Sequence, residues 1–413
     1  MSSLCQVNLD SLWSVWNDPT QPDTSRLKAI YDFAWDGYLY SQPDSAFYFA
    51  QLHYDFAKNK GLKKHMALAL DIQGNAYFHQ GDYASANDHF TRSLAINEEI
   101  GNKEGIGVSL HNIGIIYSIQ GNQPLAIEYY TRCLRISEEL DFKSGIAACL
   151  SGIGNIYEEQ GDIANAINYY TQSLAISEEI GDMMGISITL GNIGIIYSNQ
   201  KDYTSALDYY TRSLSICEKL GNKSGISTLL NNIGNIYSDQ DDYTKALDYY
   251  TRSLDIDEKL ENKHGIYYTL SNIGVDYLDQ GDYENAMNYF KRSLDISEEI
   301  GSKVGIVHSL IFIGKIYYNK GNYTKAIAYS AYGLTKAQDA GLASGTKKAA
   351  NTLYQVYKST DQFPKALEMY ELYIETRDSI ESEKNQKEVI RQKFKYDYDK
   401  KAIADSVTYV QVQ

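Results

Sequence analysis

The sequence predicts an all-α chain, a right-handed superhelical solenoid of antiparallel helix hairpins, on three observations. The stretch from Gly221 to Leu260, GNKSGISTLLNNIGNIYSDQDDYTKALDYYTRSLDIDEKL, returns about every 40 residues in both directions, which marks an array rather than a globule. One glycine column holds Gly74, Gly114, Gly154, Gly194, Gly234, Gly274 and Gly314, and three residues further on a tyrosine column runs from Tyr77 through Tyr237 to Tyr357. A third column is alanine throughout: Ala86, Ala126, Ala166, Ala206, Ala246, Ala286, Ala326 and Ala366.

Within the unit, Leu230, Ile233, Gly234 and Tyr237 fall at i, i+3, i+4 and i+7, one face of an α-helix. Tyr243, Ala246, Leu247, Tyr250 and Leu254 form the apolar stripe of a second helix. The short connection from Gln240 to Asp242 makes the two antiparallel. Most corners read Gly followed by Asp or Asn, as in Gly81-Asp82, Gly161-Asp162 and Gly221-Asn222. Glycine takes the left-handed residue that ends one helix, and the Asp or Asn side chain caps the next.

The pattern L-x-x-I-G-x-x-Y then A-x-x-x-Y, carried by Leu230, Ile233, Gly234, Tyr237, Ala246 and Tyr250, resembles the tetratricopeptide repeat. The resemblance covers roughly residues 61–380. Two departures stand beside it. The unit is longer than the family's usual one, so both helices should be longer, as in the branch that resembles spindle-orienting scaffold proteins. The proline that often closes the family's second helix is replaced by Glu98, Glu138, Glu178, Glu218, Glu258 and Glu298, so those helices should continue through that point.

Residues 1–60 read as an opening segment, with Trp13 and Trp16 on a short amphipathic piece, followed by a degenerate capping unit rich in aromatics such as Tyr31, Phe33, Trp35 and Phe49. Terminal repeats need such a cover. Eight regular units are expected over 61–380. In 381–413, Ile390, Phe394 and Tyr398 repeat every fourth residue among Lys384, Lys387, Arg391, Lys393, Lys395, Lys400 and Lys401, which predicts a charged helix and tail. An array followed by a charged helix is similar, loosely, to the sensory part of bacterial histidine kinases and nucleotide cyclases, and the resemblance implies a signal-sensing role.

The formal net charge of -15 argues against a general nucleic-acid or anionic-membrane binder, which needs a basic field. It suits a neutral to basic protein or peptide partner. The cysteines Cys5, Cys133, Cys149 and Cys217 form no C-x-x-C pair, so neither a zinc site nor a disulfide framework is expected, and Cys133 reads as core filling. No run of about 18 apolar residues is present to span a membrane. MSSLCQVNLD lacks the features of a signal peptide, so the chain is expected to be cytoplasmic, with the periplasm as the alternative if a leader has been removed.

Catalytic patterns are absent. Gly152 and Gly154 open a G-x-G with no third glycine, and Gly314-Lys315 lacks the Walker spacing. Asp239, Asp241 and Asp242 lack the glycine of a calcium loop. No histidines pair at i, i+4. No enzyme activity, cofactor or metal is therefore expected.

The remaining signal is the other face of the first helix, where Thr228, Asn231, Asn232, Asn235, Ser238 and Asp239 share a stripe. Stacking the hairpins should line up Asn75, Asn112, Asn155, Asn192, Asn231, Asn232, Asn235 and Asn272 along an inner groove, with Glu158, Glu159, Asp239 and Asp279 on the same side. Side-chain amides both donate and accept, so a row of them can pair with the main chain of an extended peptide at about 1 kcal/mol per bond. In the tetratricopeptide family such asparagines contact peptides, which is what the resemblance implies here. The lysines and arginines with which some members grip an acidic carboxyl end are replaced by Ser151, Gly191, Asn231 and Ser271, leaving Lys315 and Lys348 as a basic spot near one end. The expected function is a scaffold holding a peptide or partner helix in the groove; the alternatives are a sensory region joined to an effector domain and a structural spacer.

Overall fold

The computed structural model describes residues 8–39 and 42–382, so the charged helix expected over Lys384–Lys401 and the tail lie outside the described residues. The chain divides into two compact units, Met1–Asn192 and Ile193–Gln413. The first holds α1 (Leu9–Asn17), α2 (Asp23–Tyr38), α3 (Pro43–Asn59), α4 (Lys63–His79), α5 (Tyr83–Glu99), α6 (Lys103–Ile119), α7 (Gln123–Glu139), α8 (Lys143–Glu159) and α9 (Ile163–Ile180). The division falls inside α10 (Met183–Asn199). The second holds α11 (Tyr203–Leu220), α12 (Lys223–Asp239), α13 (Tyr243–Lys259), α14 (Lys263–Asp279), α15 (Tyr283–Glu299), α16 (Lys303–Asn319), α17 (Tyr323–Asp339), α18 (Ala343–Ser359) and a helix, α19, at 363–382. No strand occurs among the described residues.

Sequence-neighbouring helices pack as hairpins in both units. The first helix of each hairpin also packs on the first helix of the next, α4 on α6 and α6 on α8 in one unit, α12 on α14, α14 on α16 and α16 on α18 in the other. This is the tetratricopeptide solenoid packing that the 40-residue period implies. Each regular helix runs 17 or 18 residues, as expected from the long unit and the missing proline.

The corners work as their residues dictate. The Asp242 N–H donates to Tyr237 O and the Asp241 N–H to Ser238 O, both at 2.9 Å, so the last carbonyls of α12 are satisfied by the turn itself. The Asp242 carboxylate then accepts the Lys245 N–H at 3.2 Å and caps α13. The turn residue must be left-handed. Gly221 has φ 68°, but Asp141, Lys201, Asp241 and Glu261 hold φ between 51° and 62° without glycine's freedom.

The glycine column exists to admit a ring. A Cβ at Gly234 would lie 2.6 Å from the Tyr250 side chain, and Gly154 and Gly194 stand in the same relation to Tyr170 and Tyr210. Those tyrosines are sealed, Tyr170 at 0% exposure and Tyr250 at 1%, beside fully buried alanines such as Ala166 and Ala246. Burying a ring of this kind stabilises the fold by on the order of 2–3 kcal/mol. Tyr237, read from the sequence as part of the packing stripe, is only half-buried, because Tyr250 already fills the space under Gly234. It stacks instead on Tyr249, with centroids 5.5 Å apart and planes 13° from parallel, and Arg252 covers the Tyr249 ring at 5.3 Å.

In the first unit, Trp16, Ile30 and Phe33 form a separate cluster with Phe49 and Phe56 around them. The Arg26 guanidinium bonds Trp16 O at 2.8 Å and lies 4.7 Å from the Phe56 ring centre, fixing α1 against α2 and α3.

Candidate functional site

The first helices of the hairpins carry the amide stripe, and the structure brings parts of it together within each unit. In the second unit, Asn272 Nδ2 on α14 donates to Asn231 Oδ1 at 2.9 Å and Asn235 Oδ1 at 3.0 Å on α12. In the first, Asn192 Nδ2 donates to Asn155 Oδ1 at 3.0 Å. Asn75 turns back to its own helix, donating to Asp71 O at 2.8 Å. Asn112 is half-buried beside His111 and bonded to it, and Asn232 is half-buried with no side-chain hydrogen bond among the described residues.

Asn231 corrects the expectation of an open row. It is 5% exposed, and its own amide donates to Thr269 Oγ1 at 2.7 Å while its oxygen accepts from Asn272. The reason is steric: its place in the helix turns it toward α14 rather than toward the groove, so both halves of the amide are spent between neighbouring hairpins.

Asn155 and Asn235 are held differently. The Tyr170 hydroxyl donates to Asn155 Oδ1 at 2.6 Å, and the Tyr250 hydroxyl donates to Asn235 Oδ1 at 2.7 Å. Each ring passes under the glycine that precedes its asparagine, so its hydroxyl emerges beside that asparagine. With Oδ1 occupied by a phenol and a neighbouring amide, both amides have a fixed orientation, and Nδ2 makes no bond among the described residues. Tyr130 and Tyr210 fill the same place under Gly114 and Gly194, where the residue after the glycine is Ile115 and Ile195 rather than asparagine. Sequence reasoning had the asparagines but missed the pins, although the Tyr-Asn offset recurs in the sequence.

The acidic members lie around these amides. Glu158 is half-buried with a carboxylate oxygen 3.1 Å from the Tyr170 hydroxyl, whose single proton it shares with the shorter bond to Asn155, and burial pushes its carboxyl above the usual range. Glu159 is exposed and accepts a long bond from Gln123 at 3.4 Å. Asp239 is exposed with the Tyr203 hydroxyl at 3.5 Å, and Asp279 is exposed. Between them lies a residue the sequence reading passed over. Asp276, 1% exposed, accepts from Ser238 Oγ at 2.6 Å, while its second oxygen has no donor. Burial, with the charges of Asp279 and Asp239, pushes it up to about 6. Its signal was a break in the column otherwise holding Ile116, Ile156, Ile196, Ile236 and Ile316.

Two cavities of about 250 and 410 Å³ flank His111 in the first unit, the smaller lined by Gly107, Cys133, Phe142 and Ala148, the larger by Asn155, Met184 and Ile188. Cys133 and Cys149 are buried free thiols beside each other, in keeping with core filling. Among the described residues no group of three or more His, Cys, Asp or Glu is placed to hold a metal, and no helix is long and apolar enough to cross a membrane.

The tetratricopeptide repeat pattern matches residues 65–139, 126–179, 185–259 and 265–331, more than half of the sequence. The chain belongs to the tetratricopeptide repeat family. No curated protein matches it by sequence. Among solved structures it is similar to a Rap protein complexed with Competence and Sporulation Factor, at 15% identity, covering 87% of this chain and 99% of that one with a TM-score of 0.60. It is also similar to the apo form of the quorum sensor NprR from B. thuringiensis, at 14% identity over 85% of this chain and 98% of that one, TM-score 0.58. A third likeness, 15% identity and TM-score 0.62, is to a signal-transduction ATPase of the STAND class with a tetratricopeptide repeat sensor from Pyrococcus horikoshii, covering 88% of this chain and 55% of that one. At these identities the likeness is one of fold.

Proposed function

We propose that this tetratricopeptide chain is a non-enzymatic binding scaffold that holds a peptide or a partner helix against the amide-bearing faces of its first helices, with residues 1–60 as a cap and 61–380 as the binding array. One observation carries the reading: Asn155 and Asn235 are locked by Tyr170 and Tyr250 with their N–H groups unspent. A donor fixed before binding loses little entropy on docking, and each bond to a peptide carbonyl nets about 1 kcal/mol. Asn112, Asn192, Asn232 and Asn272 line the same faces; Asn231 and Asn75 serve the fold. The acidic neighbours Glu158, Glu159, Asp239 and Asp279 favour a neutral to basic ligand.

The likeness to a Rap protein bound to Competence and Sporulation Factor and to a quorum sensor supports a signal-binding version of this role. A second reading, the sensory region of a larger signalling protein, draws on the likeness to the STAND sensor.

A synthetic random-heptapeptide library screened against the full chain tests the proposal. Enriched peptides should bind Asn155→Ala/Asn235→Ala at least tenfold more weakly, with the helical fold kept and the thermal melt lowered no further than Tyr170→Phe/Tyr250→Phe, which loses the same hydroxyl bonds, lowers it. Equal affinity for the variant, or no enrichment by the wild type, sinks it.

A further inference from the structure

Three charged residues on adjoining first helices of the second unit stand where the other hairpins carry uncharged or apolar ones. Asp276 stands where α12 and α16 have Ile236 and Ile316. Lys315 stands where α12 and α14 have Asn235 and Val275, and Lys348 where they have Thr228 and Tyr268. The two lysines meet at one place, a cavity of about 300 Å³ between α16 and α18 whose wall includes Phe312, Asn351 and Gln355. Phe312 itself replaces the amide of Asn232 and Asn272, so the cavity lies on the line of the amide stripe.

The charges are uncompensated at both ends. Lys63, Lys103, Lys143 and Lys263, also on first helices, each pair with a glutamate on the second helix of the hairpin. Among the described residues Lys315 and Lys348 have no carboxylate partner; Lys315 rests over the Phe312 ring at 5.8 Å, and burial, helped by the charge of Lys348, holds His308 neutral. At the other end, the orphaned oxygen of Asp276 lies in the field of exposed Asp239 and Asp279. A buried carboxylate with an unfilled acceptor is costly, and an arriving cation offsets that cost.

We propose, resting on the peptide-binding reading above, that the inner wall of the second unit selects a peptide bearing opposite charges at a set spacing: a cationic side chain over Asp239, Asp276 and Asp279, and a carboxylate in the Lys315–Lys348 cavity. First helices of a stack stand about 8–10 Å apart, so the step from α14 to the α16/α18 cavity is about 10–15 Å. An extended chain covers that in about three to five residues. A carboxylate fits better than a phosphate because the cavity has no arginine fork and the net charge of -15 repels a dianion more strongly. The acid cluster on α12 and α14 holds that carboxylate away from its own end and so gives the bound peptide one direction.

The test uses the full chain and synthetic acetylated, amidated peptides in which Arg and Glu are separated by two to four Ala, Ser, Val or Leu residues, in both orders. Controls carry citrulline for Arg, glutamine for Glu, or phosphoserine for Glu. One order should bind at least tenfold more tightly than either neutralised control, with the gain shrinking at high salt. Lys315→Gln/Lys348→Gln should abolish the Glu-over-Gln preference and keep the Arg-over-citrulline preference; Asp276→Ile, which restores the residue of the neighbouring repeats, should do the reverse. Neutralised controls that bind as well as the charged peptides overturn the inference and spare the groove reading, whereas failure of every peptide to bind overturns both. Tighter binding of phosphoserine overturns the carboxylate assignment.

Discussion

Ile236 on α12 and Asp276 on α14 occupy the same place one repeat apart, and both are sealed, at 0% and 1% exposure. Duplication has fixed the position and the burial but not the chemistry. The isoleucine gains from its surroundings, whereas the carboxylate persists with one bond from Ser238 and one oxygen unsatisfied. A regular repeat therefore gives its own control: the neighbouring hairpin shows the side chain that fills this place without cost, and the exception shows what a carboxylate meets there.

The largest effect expected is from making the exception where it does not belong. Ile236→Asp places a carboxylate in an apolar site with no designed donor and should destabilise by more than about 5 kcal/mol in chemical denaturation. A milder loss would mean that the site is wetter than its burial indicates. Next is the ring beneath the glycine: Tyr250→Ala should cost about 3–5 kcal/mol by leaving a cavity, whereas Tyr250→Phe, which keeps the ring and frees Asn235, should cost about 1 kcal/mol and weaken peptide binding.

Restoring the column comes third. A carboxyl raised from 3.8 to about 6 in the folded chain binds its proton more tightly there, so its contribution is intact below about pH 4 and is lost as the pH rises through 6. Asp276→Ile should thus gain on the order of 2–3 kcal/mol over the wild type at pH 8, and the pH-dependent part of that gain should vanish at pH 4. Asp71, also buried and pushed to about 7 by that burial, adds a loss of the same sign over a slightly higher window. The histidines His53, His111 and His308, held below their usual range by burial, contribute with the opposite sign, so the check is the gap between wild type and Asp276→Ile: a gap that does not widen between pH 4 and 8 would contradict the assignment. The smallest effect lies in the corners: Glu261→Gly, at φ 54°, should stabilise by no more than about 1 kcal/mol, while the same change at an exposed helical residue such as Ser224 should destabilise.

The fold was legible because it is written many times. The glycine, tyrosine and alanine columns give helix faces, the Gly-Asp corners give caps, and the hairpin stacking follows from the period. The site was legible only in outline. Helical periodicity places Asn231 and Asn235 on one stripe, but a single residue's rotation decides whether an amide faces the groove or the next hairpin, and periodicity does not resolve that. The pinning of Asn235 by Tyr250 joins residues on two helices and depends on the ring passing under Gly234, so its sequence trace is only the offset that Asn235 and Tyr250 share with Asn155 and Tyr170. Asp276 shows in the sequence as a break in a column of isoleucines, on the apolar stripe rather than on the polar one that marks the groove.

The aromatic cluster around Trp16 has an optical consequence. All three tryptophans of the chain, Trp13, Trp16 and Trp35, lie within the first 35 residues, while the stacked tyrosines, from Tyr117–Tyr129 to Tyr317–Tyr329, extend along both units. Indole emission therefore watches the first three helices alone, and phenol absorbance watches the hairpins. Melting followed at both wavelengths reads, without any label, whether the end of the array lets go before its middle, as nearest-neighbour coupling in a linear array allows.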